Sequence, residues 1–414
     1  MPIDRGKAEL QFTDSMRLDK DLMETFFAPC PRGLEFLLSQ EIERCGGKDV
    51  RQYSGGVACR GTFSLCYILN LKSRLASRVL WRLGEGKYHH EQDLYRSTFA
   101  LPWSDLFSVE CLIKVRIIAK DSPLKSLEFG TLRVKDAICD RFMQDRGTRP
   151  TVDKRQPDVP IVVFLTGDRV EWYVDTSGAP LFKRGWRKAS GEAPIRENLA
   201  AGILGLTGWT PDQVLLDPMC GAGTFLIEAA MIGRGIPPGK GRKFSFSRLK
   251  NFDRNTWEQV RQTGDKAEQK PQSLALFGYD QKPQALDMAR LNSRGLEISE
   301  IRWTQEDALA IVPPAGQGII VTNPPYGVRM GNHTELEEWY PRFGDVLKKR
   351  FAGWRVHIFT ADLRMPKLLR LSPSKKIPLF NGSLESRLYE FRMVAGENRK
   401  AARLAKRTQT VTNR

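Results

Sequence analysis

From about residue 191 onward the sequence predicts an α/β domain built on an open, mostly parallel, doubly wound sheet, and three observations carry that prediction. Apolar β-runs at 214–216, 275–279, 301–303, 318–322 and 356–360 alternate with helical periodicity, the pattern of a sheet covered by helices on both faces. The first run feeds Asp217-Pro218-Met219-Cys220-Gly221-Ala222-Gly223-Thr224 and then an apolar helix at 225–232. Near the end, Leu379-Phe380-Asn381-Gly382-Ser383-Leu384 holds an Asn-Gly turn, so the last two strands form an antiparallel hairpin at the sheet edge.

The front half reads as α+β. Residues 1–24 are a polar extension. Leu34, Leu37, Leu38 and Ile42 recur at helical spacing before Gly46-Gly47 stops the helix. A strand at 56–59 and a helix at 62–75 complete a unit of about 60 residues, which is marginal alone. A second unit starts near Tyr88, with a strand at 111–118, a basic amphipathic helix at 132–146, and strands at 161–165 and 170–174 joined as a hairpin across Thr166-Gly167-Asp168-Arg169. The charge-dense Phe182-Lys183-Arg184-Gly185-Trp186-Arg187-Lys188 shows little apolar periodicity and reads as a linker. The expected division is 1–24, 25–86, 87–178, a linker at 179–192, 193–395, and a basic tail at 396–414 that carries Arg399, Lys400, Arg403, Lys406 and Arg407.

Composition narrows the function. The 414 residues carry 65 Lys+Arg against 48 Asp+Glu, a formal charge of +17, which suits a polyanionic partner because each neutralised phosphate releases condensed counterions. The first 24 residues lack an apolar core and no stretch reaches 18 uninterrupted apolar residues, so a soluble, cytoplasmic protein is expected. The seven cysteines form no Cys-x-x-Cys pair and only four histidines accompany them, so neither a metal site nor a disulfide framework is expected.

Two segments carry chemistry. An apolar strand that ends in a Gly-x-Gly turn at a helix N-terminus lets the backbone approach a ligand closely, with free N–H groups aimed at it. A dinucleotide site would want a third glycine where this chain has Leu226, which favours a ligand without pyrophosphate. The second segment, Asn323-Pro324-Pro325-Tyr326, follows the strand Ile319–Val321. There the Asn amide oxygen and the Pro324 carbonyl offer two acceptors side by side, the prolines stiffen the backbone, and Tyr326 supplies a ring face. Those are the parts needed to grip an exocyclic NH2 and stack its base. Between the segments, Asp280 and Asp307 stand at strand ends. Either acid alone reads as a helix cap; in a doubly wound sheet such acids can also accept from ribose hydroxyls or an adenine amine.

Taken together these segments resemble the class I S-adenosylmethionine-dependent methyltransferases of the amino-methylating group with an Asn-Pro-Pro-Tyr motif. Asp217–Thr224 and Ala193-Pro194-Ile195-Arg196-Glu197-Asn198 are similar to the cofactor turn and preceding helix of THUMP-containing RNA methyltransferases. Val134–Ile138, Arg149–Asp153 and Leu181–Arg187 resemble the THUMP domain and its exit, and Ala28–Glu35 resembles the ferredoxin-like domain before it. The match covers roughly residues 26–394 and lies nearest the bacterial 23S rRNA guanine-N2 methyltransferases of the RlmL type. Some members carry a fused second methyltransferase, whose modification is not expected here.

The resemblance implies a seven-stranded Rossmann-like domain preceded by ferredoxin-like and THUMP domains. It implies that S-adenosylmethionine lies against Glu197, Asp217, Pro218, Gly221, Gly223, Thr224, Asp280, Asp307 and Asn323, and that Asn323, Pro324, Pro325 and Tyr326 present the base. RNA contact is expected from Arg133, Lys135, Arg141, Arg149, Lys154 and Arg155, and from Lys183, Arg184 and Arg187. A tRNA guanine-N2 enzyme, an adenine-N6 DNA methyltransferase and a non-enzymatic RNA binder are the rival readings. Cys220 as a nucleophile is disfavoured, because an amine is the acceptor and the thiol sits inside the cofactor turn.

Overall fold

The computed structural model describes residues 11–12, 22–191, 194–267, 273–296, 298–325 and 333–394. Tyr326, the basic tail and most of the 1–24 extension lie outside the described residues. The chain forms two compact units. The first comprises Met1–Cys30, Leu38–Leu181 and Pro237–Lys266; the second comprises Pro31–Leu37, Phe182–Ile236 and Ala267–Arg414.

The front half runs β1 (Gln11–Phe12), β2 (Glu24–Pro29), α1 (Glu35–Arg44), β3 (Lys48–Tyr53), β4 (Gly56–Gly61), α2 (Phe63–Lys72) and β5 (Leu80–Lys87). It continues with α3 (Glu91–Ala100), α4 (Trp103–Leu106), β6 (Ile113–Lys120), α5 (Leu127–Arg146), β7 (Val159–Thr166) and β8 (Arg169–Asp175). The two small α+β units read from the sequence share one sheet, ordered β3-β4-β2-β5-β8-β7-β6 with β1 also against β5. Antiparallel pairing of β5 with β8 joins them, so neither has to close a core by itself. Helix α5 starts five residues before the expected helix, capped by Ser126, because its first turns expose Leu127, Phe129 and Leu132 and so break the amphipathic pattern. Strand β3 is nearly all polar and exposed, an edge strand with no alternation to read.

The second unit begins with α6 (Glu197–Thr207), β9 (Leu215–Asp217) and α7 (Thr224–Gly233). The chain then enters the insert that contains α8 (Arg254–Ala267). This insert was expected inside the C-terminal domain, but it belongs to the first unit up to Lys266. Its Phe246, Phe252 and Trp257 ring Tyr67 at centroid distances of 4.7, 5.9 and 6.1 Å. Gly239 passes so close to α2 that a Cβ there would lie 2.5 Å from the Asn70 carbonyl oxygen.

The second unit resumes with β10 (Leu276–Asp280), α9 (Pro283–Arg294), β11 (Ile301–Gln305), β12 (Ile319–Thr322), α10 (His333–Arg350), β13 (Arg355–Thr360), α11 (Met365–Leu368), β14 (Lys375–Asn381) and β15 (Leu384–Arg392). Seven strands line up as β11-β10-β9-β12-β13-β15-β14, parallel except that β15 opposes both its neighbours. The Asn-Gly turn joins β14 to β15 as expected, with Asn381 paired to Leu384. After β9 the chain builds outward through β10 and β11, then returns to β12 on the other side of β9. That reversal opens a crevice beyond the carboxyl ends of β9 and β12. No helix among the described residues is long and apolar enough to cross a membrane.

Candidate active site

Four adjacent strands deliver the expected residues to one edge of the sheet. Gly278 of β10 and Leu216 of β9 pair with Asp217 and Ile320 respectively, so Asp217, Asp280 and Asn323 all stand at or just past the carboxyl ends. Asp307 follows β11 in the same way, with the neighbouring Glu306 N–H donating to the Asp280 carbonyl at 3.2 Å. Along the edge the order is therefore Asp307, Asp280, the glycine turn, Asn323.

The turn after β9 is tied on every side. Asp217 is buried and accepts from the Met219 N–H at 3.2 Å. Burial pushes its carboxyl up to about 7, against the pull of Thr322 and the Met219 N–H, with the Asp280 charge adding to the rise. The Cys220 N–H donates to the Tyr279 carbonyl at 2.8 Å, which stitches the turn to β10. Gly221 and Gly223 adopt φ of 53° and 81°. Their N–H groups are not aimed at open space as expected: Gly221 donates to Asp280 Oδ2 at 3.0 Å and Gly223 to the Cys220 carbonyl at 2.8 Å. The glycines serve approach instead: a Cβ at Gly223 would strike the Trp303 ring at 2.7 Å, whereas a Cβ at Gly221 would meet open space, with nothing among the described residues within 4 Å.

The segment expected to be a linker is a strap across this turn. Arg187 Nε donates to Glu197 Oε1 at 2.7 Å, and its Nη2 donates to the Ile195 carbonyl at 3.2 Å and to Thr224 Oγ1 at 2.9 Å. Asn292, fully buried on α9, accepts from the Lys188 and Ala189 N–H groups at 2.7 and 3.0 Å. Its Nδ2 donates to the carbonyls of Ala189 at 2.9 Å and Ala222 at 3.1 Å. Arg184 pairs with Glu228 at 3.4 Å, with side-chain exposures of 1% and 0%. Arg184 and Arg187 were expected on an RNA face; both are instead consumed inside the second unit. Glu197 and Thr224, expected against the cofactor, are engaged by Arg187 and brace the start of α7.

Further along the edge, Asp280 Oδ1 accepts from the Lys282 N–H at 2.9 Å, so this acid holds both the glycine turn and the start of α9. Exposed Asp307 accepts from the Leu309 N–H at 2.9 Å, and Arg350 Nη1 clamps the carbonyls of Leu309, Ala310 and Ile311 behind it. Cys220 is buried, and burial pushes its thiol well above the usual range, which removes the thiolate a nucleophile requires.

Asn323 differs from Asp217, Asp280 and Asp307. Its Oδ1 is buried and has no hydrogen-bond partner among the described residues. Pro324 is buried and Pro325 exposed; neither has an N–H to anchor the segment. The hold comes from the acceptor side, where the buried Tyr340 hydroxyl donates to the Pro325 carbonyl at 3.2 Å.

In the first unit, Arg141 also turns inward, bound to Asp145 at 2.8 Å and to the Phe99 carbonyl at 3.2 Å, and so corrects a second expected RNA contact. Arg149 pairs with Asp140 and Lys135 with Asp136, at 2.7 and 2.6 Å. Arg133 lies over the Tyr95 ring, while Lys154, Arg155 and Lys183 are exposed. Sequence reasoning missed Asn292, Tyr340 and Arg350. Only Asn292 left a signal, as a polar residue on the apolar stripe of Ala285, Leu286 and Ala289.

Three domain models match the chain in order. The RlmL ferredoxin-like domain matches residues 25–80, the THUMP domain 88–175, and the RMKL-like methyltransferase domain 184–390. A Synechocystis protein designated "Putative RNA methyltransferase slr0064" is 35% identical over 89% of this chain and 96% of its own length. The ribosomal RNA large subunit methyltransferase K/L proteins of Shewanella frigidimarina and Psychromonas ingrahamii are 34% and 36% identical over 91% and 90% of the chain. The chain spans 54% and 50% of their length, about half. Among solved structures, SMU.472 complexed with SAH superposes with a TM-score of 0.82 at 29% identity, covering 91% of this chain and 99% of that one. A Listeria monocytogenes protein designated "predicted N6-adenine-specific DNA methylase" reaches 0.81 at 29% identity, covering 90% and 97%. With these domains in this order and a full-length relative at 35% identity, the chain belongs to the RMKL-like methyltransferase family.

Proposed function

We propose that this protein methylates the exocyclic N2 of a guanosine in large-subunit ribosomal RNA, with S-adenosylmethionine as donor. The observation that carries the reading is the buried Asn323 Oδ1, without a partner among the described residues, just past the strand next to the glycine turn. A buried acceptor left without a donor costs about 1–3 kcal/mol, a cost that an incoming N–H removes. The residues also fit the donor: open space at Gly221, and acids at the ends of β10 and β11 for ribose and adenine. When bound, S-adenosylmethionine supplies an electrophilic methyl on a sulfonium.

The chain's own residues meet the difficulty of the acceptor. A guanine N2 lone pair is delocalised into the ring, so the amine is a weak nucleophile and needs alignment more than a base. Asn323 Oδ1 and the Pro324 carbonyl accept its two N–H groups, turn its lone pair toward the methyl, and stabilise the positive charge that grows on nitrogen as the new bond forms. The amine then releases one proton to water. Because the base must leave its stack to reach this edge, an unpaired or flipped guanosine is the substrate form. The same grip would serve adenine N6, the position for which the Listeria neighbour is designated; a THUMP domain at the front favours RNA.

Methylation assays on separated rRNA and tRNA pools, read by nucleoside mass spectrometry, test the reading. N2-methylguanosine in large-subunit rRNA is the expected product, and N6-methyladenine in its place would overturn it. Asn323→Ala should lower turnover by about a hundredfold or more while leaving cofactor affinity by calorimetry unchanged. Equal loss of both would mean that the residue holds the fold and not the amine.

A further inference from the structure

Many arginines of the described chain are held by carboxylates; among the exposed ones of the second unit that are not, two stack on aromatic rings beside one hairpin. The Arg32 guanidinium lies 4.1 Å from the Phe380 ring centroid, and that of Arg196 lies 4.9 Å from the Phe182 centroid. Both arginines are exposed, and neither makes an ion pair or a side-chain hydrogen bond with any described residue. By contrast, Arg82, Arg141, Arg149, Arg184, Arg187 and Arg364 all hold acids.

The chain builds this pair deliberately. Gly33, at φ 93°, passes so close to β14 that a Cβ there would lie 2.5 Å from the Pro378 carbonyl oxygen and 2.9 Å from Leu379 Cδ2. Only glycine permits that approach, and it lays Arg32 on Phe380. Arg196 is the residue before α6, and its Nη2 lies 3.9 Å from the Cβ position of Gly382 in the Asn-Gly turn. The two stacked pairs therefore meet at the tip of the β14–β15 hairpin.

That tip lies at the catalytic edge. Thr322, the last residue of β12, pairs with Ile358, and the end of β13 at Thr360 pairs with Arg387 of β15. Residues 381–384 thus project past the carboxyl end of β13, on the side of Asn323 away from the cofactor turn. An arginine stacked on a ring keeps its planar edge of N–H donors outward in a fixed geometry that matches phosphate. On a chain of net charge +17, two such edges without acids complement a polyanion.

We propose that Arg32 and Arg196, stacked on Phe380 and Phe182, form a phosphate-binding rim of the catalytic unit that grips the backbone of the RNA strand beside the target base. The inference rests on the RNA-methylation reading and adds a contact surface outside the THUMP domain. The test uses the full chain and an unmodified 23S rRNA transcript, with wild type compared against Arg32→Glu/Arg196→Glu and Arg32→Gln/Arg196→Gln. Transcript affinity should fall by about tenfold or more at about 0.15 M salt. In the Gln pair the slope of log affinity against log salt should flatten by about 1.4, two contacts to a single strand. Cofactor affinity and melting temperature should stay at wild-type values. Folded variants with wild-type affinity and salt slope overturn the rim. A wild type that binds the transcript without methylating it overturns the functional reading and leaves the rim standing; a wild type that does not bind it overturns both.

Discussion

The turn after β9 and the segment after β12 leave neighbouring parallel strands at the same edge, yet they are wired in opposite ways. Around Gly221–Thr224 both glycine N–H groups, the Ala222 carbonyl and the Thr224 hydroxyl each have a protein partner. At Asn323–Pro325, among the described residues, Tyr340 holds one carbonyl and the amide oxygen has no donor. On the proposed reading the difference separates two tasks: a turn that receives the same small cofactor at every cycle gains from being organised beforehand, whereas a segment that catches a flipped base keeps its acceptor open.

The comparison breaks first at Asn292. Replacing it with Ala strands the N–H donors of Lys188 and Ala189 and the carbonyls of Ala189 and Ala222 in a half-buried place, so the variant should lose about 2–4 kcal/mol of stability and at least tenfold in cofactor affinity. Thermal unfolding and calorimetry measure both; unchanged cofactor affinity would show that the strap supports the fold alone.

Asp217 gives the next effect. Its carboxyl sits near 7 when folded and near 3.8 in the unfolded chain, so the unfolded chain ionises first and the folded protein loses stability as pH rises from about 4 to 7. Asp217→Asn keeps an oxygen for the Met219 N–H and should flatten that slope, leaving the unliganded protein more stable than wild type at pH 8 by up to a few kcal/mol. Chemical unfolding at pH 5 and pH 8 decides it, and equal slopes in the two proteins would refute the assignment.

The smallest effect belongs to Tyr340→Phe, which deletes one hydrogen bond of about 1 kcal/mol. Turnover should drop about fivefold with cofactor affinity and melting temperature held. A loss in cofactor affinity instead would mean that the two segments are not independent.

The parallel strands were legible because strands covered on both faces read as near-continuous apolar runs, as at Leu215-Leu216 and Ile319–Val321. The glycine turn and the Asn-Pro-Pro segment were legible because each needs particular residues at fixed spacing. The strap was not. A buried arginine that meets Glu228 from distant chain has the same letter as a solvated one, so 182–188 looked like a linker and Arg184 like an RNA contact. Tyr340 and Arg350 escaped for a related reason: each acts on backbone carbonyls, which leave no trace in residue type. Strand β5, with its Gly84 and Gly86, hid behind a bulge that interrupts alternation.

The insert at Pro237–Lys266 leaves the catalytic half after α7, plants Phe246, Phe252 and Trp257 around Tyr67, and returns before β10. A gene fragment that starts near residue 190 would therefore carry an oily plug without its socket, and the front fragment would keep a socket without its plug. Dissection of this chain into folded halves has to excise that loop as well.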